Sequence, residues 1–390
     1  MLRRALVPAL AAGLLSFAFP MTAQAVVVDE AADTRFPDLN GNVLAIAHKG
    51  NRVYIGGSFT RIRGTNGKFV RRGAAAFDVR NGRVLPWNPN VKGTVNDIAI
   101  VKKSVYLGGS FRRVSKKPRQ NLALVSTGGK SKLSSWEVPV SGHVRTMDLA
   151  GKKLYLGGPF TAVNGVKRNQ LAAIKVKNGK VLKWRPSVNG AVYDLEFSRT
   201  GVYLAGAFSR VNTTPVANRL GQVTKGGRGR TVSTFGARDA GEPLEAGPIL
   251  DVVLTGTRVY AAEGGDFGGA LKAISRTDGS VEWERRMDGD GQAVTLLSGH
   301  IYVGGHFSNV CTEPVPDQNE DGDCINGAAP AGRIAAFDGT GELAEWDPMM
   351  NSPVGIKALD AFSGRLIAGG GFSRTGTDVT NRLAVFGSTL

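Results

Sequence analysis

Asp97, Asp194 and Asp251 recur at one position of a repeating pattern, where Thr146 and Thr295 also fall. Carboxylates that converge on one channel could serve as general acid and base. The same position holds Ala45 and Ile356 elsewhere, so the expectation is a hydrogen-bonding role, each carboxylate tied to turn backbone in its own unit. The histidines (His48, His143, His300, His306) fall on different strands or turns, and no pair has metal-ligand spacing on one element. No G-x-S-x-G elbow, HExxH pair or glycine-rich phosphate loop is present, and GGRGR (226–230) reads as a turn between strands. These residues point to binding rather than catalysis.

The most specific local pattern is an insertion, CTEPVPDQNEDGDCINGAAPAG (311–332), in which Asp317, Asn319, Asp321 and Asp323 alternate and Gly322 takes the sharp turn. A Ca²⁺ ion takes several oxygen ligands, and alternate positions on a tight loop deliver them to one point. The pattern resembles the loops of EF-hand-like sites, except that Ala328 stands at the twelfth position in place of the closing Glu. Glu313, Glu320 or water would complete the shell, and the ion would stiffen the loop rather than react. The two cysteines, Cys311 and Cys324, bracket this acidic run, and in an oxidising compartment they are expected to form one local disulfide.

Charge is the third signal. Residues 26–238 carry 37 Lys and Arg against 10 Asp and Glu, whereas residues 239–390 carry 10 against 22. Many of the cations cluster in three short segments. RIRGTNGKFVRR (61–72) supplies Arg61, Arg63, Lys68, Arg71 and Arg72; RRVSKKPR (112–119) supplies Arg112, Arg113, Lys116, Lys117 and Arg119; NGVKRN (164–169) supplies Lys167 and Arg168. Such a surface suits anionic polymers: wall teichoic acids, acidic polysaccharides, anionic lipid or extracellular DNA. Nucleic acid is the least expected of these, because a single aromatic residue, Phe69, lies among the cations of these segments. Another protein is the remaining class of partner.

These segments take their meaning from a repeat. VYIGGSF (53–59) returns as VYLGGSF (105–111), LYLGGPF (154–160), VYLAGAF (202–208), GGDF (264–267), IYVGGHF (301–307) and LIAGGGF (366–372), a step of about 52 residues. The first unit reads as four strands, 42–48, 52–59, 72–78 and 83–89, with tight turns joining the first pair and the last pair. All five tryptophans (Trp87, Trp136, Trp184, Trp283, Trp346) occupy one slot of the fourth strand, with Phe235 there in unit four. A ring of that size is expected to pack between neighbouring units. The paired glycines let inner strands approach where a Cβ would clash. The basic segments are the links between second and third strands. These are expected on the face that carries the unit-to-unit connections, with Lys102, Lys103, Lys152 and Lys153 on the opposite face.

Unit seven ends at Leu390 without a fourth strand, and TRFPDLNGNV (34–43) mimics LPWNPNVKGTV (85–95) with Phe36 in the Trp slot. The expected architecture is therefore all-β: a seven-bladed β-propeller of four-stranded antiparallel blades, its ring closed by an N-terminal strand. The blades fall near 40–91, 92–140, 141–188, 189–238, 239–287, 288–350 and 351–390 with 26–39. The recurring YxGGxF…N(G)…R..LAAFD…G.V..W.P.v.G.V unit is similar to the delta-sixty repeat propellers of secreted bacterial, particularly actinobacterial, proteins. That resemblance covers nearly the whole mature chain; it implies a propeller and transfers no catalytic residues. ALKAISRTDGSVEWER (270–285) also looks like the docking segment of quinoprotein propellers, but those carry eight blades and capping segments that this sequence lacks.

Residues 1–25 read as a signal peptide. Arg3 and Arg4 precede an apolar run from Ala5 to Phe19, and Ala23-Gln24-Ala25 has the small-x-small pattern of a cleavage site. The expectation is an exported chain whose residues 26–390 form one propeller domain. The functional expectation is a secreted, non-enzymatic binding scaffold. The alternative is a secreted propeller enzyme, carbohydrate-active or quinone-dependent, with its site at the channel mouth.

Overall fold

Short runs of Val, Ile, Leu and Tyr, cut by Gly and Asn turns, become antiparallel strands throughout, and no helix occurs among the described residues. The computed structural model describes residues 27–235, 247–265, 268–312, 318–319 and 321–387. The expected signal peptide, Asp266 and Phe267 of the GGDF copy, and Glu313, Asp317 and Glu320 of the insertion lie outside the described residues.

Unit one shows the plan. Val43–Lys49, Arg52–Gly57, Ala74–Asp78 and Arg83–Val84 pair in that order. The first three match the expected strands, but the fourth stops after two residues. Pro86 and Pro89 follow it, and proline has no N–H to donate to a ladder. In units two, three and six the fourth strand shrinks to single bridges, Val125 to Leu133, Ile174 to Val181 and Phe337 to Leu343. Unit five has no proline in this segment, and its fourth strand runs the full Val281–Met287.

The links are more ordered than the sequence suggested. In unit one, Arg61–Gly64 and Gly67–Val70 form a hairpin, and Asp38–Leu39 pairs with its first arm. In unit two the first and second strands run on as Val91–Val101 and Ser104–Val114, and Lys117–Pro118 pairs with the end of the latter. The pairing of Val91 with Val114 and of Lys92 with Arg113 sets the basic link beside the connection from unit one, as expected.

Seven apolar clusters hold the units side by side. Trp87 packs with Tyr54 of its own unit and Val105 and Val125 of the next, its ring 5.0 Å from that of Tyr54 and edge-on. Its indole N–H also donates to the Ser126 carbonyl of unit two at 2.8 Å. The pairs Tyr106–Trp136, Tyr155–Trp184, Tyr203–Phe235, Tyr260–Trp283 and Tyr302–Trp346 repeat the ring contact. The glycine pair serves two contacts. A Cβ on Gly56 would meet the Val95 side chain of the next unit, and one on Gly57 would meet the Asn42 carbonyl of the preceding strand.

The first strands line the interior. Val43–Lys49 lies beside Val91–Val101, followed by Thr146–Ala150, Val192–Phe197, Ile249–Leu254, Asp290–Leu297 and Ile356–Phe362, and the last returns to the first. The N-terminal segment spans this seam without forming a regular fourth strand for unit seven. Asp33 N–H donates to the Val385 carbonyl at 2.9 Å and Leu39 N–H to the Asn381 carbonyl at 3.0 Å. Phe36 packs with Val385 and Leu383 on one side and Phe77 on the other, the place a tryptophan takes elsewhere.

Candidate binding face and central channel

The hairpin geometry decides what each basic side chain can do. Arg61, Lys68, Arg72, Arg112, Arg113, Lys116, Lys117 and Lys167 are exposed, and Arg63, also exposed, is paired with Asp38. Arg71, Arg119 and Arg168 are turned inward. Arg71 Nη2 donates to the Leu85 carbonyl at 3.0 Å, Arg119 Nη2 to the Ser134 carbonyl at 2.8 Å and Arg168 Nη2 to the Leu182 carbonyl at 2.6 Å. In each unit the guanidinium latches the link hairpin onto the fourth segment, filling acceptors left open by the truncated strand. These three were grouped with the exposed cations because type and spacing do not show which way a side chain turns.

Further in, the first strands carry a shared irregularity. Each of six units has a register shift, at Leu44, Asn96, Tyr193, Leu250, Gln292 or Lys357. A bulge inserts an unpaired residue and re-aims its side chain. Arg145 takes the equivalent place in unit three. All seven line one central cavity of about 550 Å³.

The next residue along is the aspartate position. Pairing to the second strand fixes it as Ala45, Asp97, Asp194, Asp251, Ala293 and Ala358 with Thr146. Thr295 and Ile356 therefore do not belong to it: Thr295 pairs with Tyr302 and Ile356 with Gly370, each two residues away from the shared position. Nor do the aspartates tie to turns of their own units; they stitch one first strand to the next. Asp97 Oδ2 accepts the Met147 N–H, Asp148 Oδ2 the Phe197 N–H and Asp251 Oδ2 the Val294 N–H, the last at 2.8 Å. Asp194 Oδ1 accepts from Thr146 Oγ1 at 2.9 Å and Oδ2 from Val252 N–H at 3.2 Å. The hydrogen-bonding expectation holds, with the partner one unit further on. At the seam His48 Nδ1 lies 2.8 Å from Asp360 Oδ2, and the imidazole stacks on Phe362.

Crowding shifts the acids upward. Burial, followed by neighbouring carboxylates, raises Asp97 to about 7, Asp148 to about 6 and Glu196 to about 9. Burial also raises Asp194 and Asp251, which lie close enough to share a proton. Above them, Arg145 stacks over the Tyr193 ring, its guanidinium carbon 4.1 Å from the centroid. Sequence reasoning missed Arg145 and Lys357. The available signal was their place immediately before the aspartate position, which only the bulge turns into a channel-facing one.

The insertion closes through the Cys311–Cys324 disulfide. Asn319 Oδ1 accepts the N–H groups of both Asp321 and Asp323, whose carboxylates are exposed. Gln318 docks the loop on unit five through the Met287 carbonyl at 2.7 Å. Among the described residues no helix is long and apolar enough to cross a membrane.

No family model matches the chain, and no curated protein matches it. Solved structures do. The WD40 β-propeller domain of Doa1 superposes with a TM-score of 0.53 at 13% identity, over 91% of this chain and 96% of that one. Sqt1 of Saccharomyces cerevisiae gives 0.51 at 9% identity, over 91% and 98%. At such identities the likeness bears on fold alone, and with the stitched first strands and repeated sheets it makes this chain a β-propeller.

Proposed function

We propose that the protein is an exported binding scaffold of the delta-sixty repeat kind, a seven-bladed ring closed by its N-terminal segment, that holds anionic polymers on one basic face. The observation that carries this reading is the set of eight exposed cations, without an ion pair among the described residues, on the links of three consecutive units. Each link pairs with the unit-to-unit connection that precedes it, an arrangement that supports one continuous arc of charge across the three units. The return of the first-strand packing from unit seven to unit one supports the blade count and the closure. Calcium in the insertion is part of the proposal as a structural ion held by Asp317, Asn319, Asp321 and Asp323.

The experiment is a titration of the mature protein with poly(glycerol phosphate) and with polygalacturonate across a salt series. Binding should weaken steeply as salt rises, because exposed charges act over only about 8 Å at physiological ionic strength. Replacing Arg72, Arg112, Arg113, Lys116, Lys117 and Lys167 by Ser should abolish it. Replacing Lys102, Lys103, Lys152 and Lys153 on the opposite turns should not. Equal losses from both sets, or no binding at low salt, would refute the reading.

A further inference from the structure

The central cavity holds two cations that the basic arc does not use. Arg145 of unit three and Lys357 of unit seven enter it at the same level of the first strands, from units three steps apart around the axis. Neither guanidinium nor ammonium has an ion pair or hydrogen bond among the described residues. Arg145 is exposed at the mouth, and its guanidinium lies over the Tyr193 face. The two repel each other across the cavity: after burial, the charge of Arg145 is among the causes that lower the Lys357 ammonium.

Among the described residues, the carboxyl groups around them form no ion pair with either cation, although the charge of Asp290 acts on Lys357 ahead of that of Arg145, and the charge of Asp194 acts on Arg145. Both oxygens of Asp97, Asp148, Asp194 and Asp251 already accept hydrogen bonds, all but one from backbone amides. Each of these oxygens already has a donor, five of the eight bonds joining neighbouring units, and Glu196 is held as a neutral acid at pH 7. The free donors of the cavity are five guanidinium N–H groups, an ammonium and the Tyr193 hydroxyl, beside one buried acceptor without a partner among the described residues, Gln292 Oε1. A volume of about 550 Å³ lies in the range of small-molecule sites.

We infer that the channel mouth is a binding site for a small multivalent anion, a carboxylate or phosphate compound bridged between Arg145 and Lys357 over the Tyr193 ring. Guanidinium gives the planar, two-pronged contact that carboxylate and phosphate share, and the lysine supplies the opposing point charge. An anion there also removes the repulsion between the two cations. This site stands apart from the polymer-binding face, so either can fail without the other.

The test is titration calorimetry of the mature protein with citrate and, separately, inorganic phosphate at about 0.15 M salt, where exposed single charges are largely screened. Saturable one-to-one binding of either probe is expected, and the tighter of the two assigns the acid class. Arg145→Gln and Lys357→Gln should each weaken it roughly ten- to hundredfold, the loss of one charge-assisted bond. Arg145→Lys keeps the charge and the fold but not the fork, and should fall between. The polymer-arc serine variant should bind citrate or phosphate as the unmodified protein does. Saturation by neither probe below about 10 mM, a K357Q or R145Q protein that binds undiminished, or loss of the small anion in the arc variant would each overturn the site.

Discussion

Lys272 Nζ lies 2.5 Å from Glu263 Oε2, a buried ion pair in unit five where its neighbours carry small residues. The position of Lys272 is held by Ala75, Ala123, Ala172, Gly221, Ala335 and Ala384 in the other units. That of Glu263 is held by Gly57, Gly109, Gly206, Gly305 and Gly370. Lys272 Nζ also lies 3.5 Å from Glu284 Oε2, so removing Lys272 alone strands Glu263, whereas removing Lys272 and Glu263 together restores the repeat and leaves Glu284 paired with Arg286. Lys272→Ala should therefore cost about 3–5 kcal/mol in chemical denaturation, while Glu263→Gly with Lys272→Ala should cost far less. If single and double variants lose the same stability, the pair is not what those residues provide.

Glu196 sets a pH dependence whose sign is fixed. Burial and the surrounding aspartates lift its carboxyl from 4.5 to about 9, so the folded chain keeps a proton that the unfolded chain releases. Stability contributed by this group is highest below its unfolded pKa and falls as pH rises toward 9. Glu196→Gln removes that loss. Its melting temperature should match the unmodified protein near pH 5 and exceed it at pH 8. A gap that is the same at both pH values would show that Glu196 is already ionised in the fold.

Much of this architecture was written in residues that cannot be exchanged for others. The GG pair, the Trp slot and the Tyr facing it are large or minimal side chains at fixed spacing, and all mark packing between units. The cysteine pair was equally plain. Features that depend on register were not. The turn of Arg145 and Lys357 into the channel shows only in the structure, whereas the aspartate position lies the same distance before the glycine-pair position in every unit, a spacing that excludes Thr295 and Ile356. The link hairpins carry little strand signal because their arms are short and charged, with only Phe69, Val70 or Val166 to suggest pairing.

Ring closure should be visible in a truncation. Deleting residues 26–39 removes Phe36 from between Phe77 and Val385, and breaks the hydrogen bond from Asp33 to Val385. Loss of a buried Phe alone costs about 3–5 kcal/mol, so the melting temperature should drop by several degrees. A truncated protein that melts with the mature one would show that the seam holds without the segment.

Calcium should raise the melting temperature if the insertion binds it in the native state. Asp317→Ala with Asp321→Ala should remove the increment, and neither Cys311 nor Cys324 should react with thiol reagents before reduction. Asn319 Oδ1 already accepts two amides, which narrows what it can offer an ion. Calorimetry without heat at millimolar calcium, on the order of an extracellular module's affinity, would dispose of the site.

The inward arginines separate stability from binding on a single hairpin. Arg119 is 7% exposed and donates to the Pro118 and Ser134 carbonyls at 2.7 and 2.8 Å, with Glu137 Oε2 at 3.1 Å. Arg112 and Arg113, a few residues earlier on the same link, point into solvent. Arg119→Ala removes a buried guanidinium and its charge-assisted bonds to the Pro118 and Ser134 carbonyls, and should cost about 1.5–3 kcal/mol. Arg119→Lys should rescue little, because an ammonium cannot span both carbonyls in a fixed fork. Arg112→Ser with Arg113→Ser should leave the melting temperature nearly unchanged, since exposed charges contribute little to stability, and should weaken poly(glycerol phosphate) binding instead. The two variants thus exchange phenotypes across one hairpin. An Arg119→Ala protein that melts normally but loses the polymer would place Arg119 among the binding cations after all.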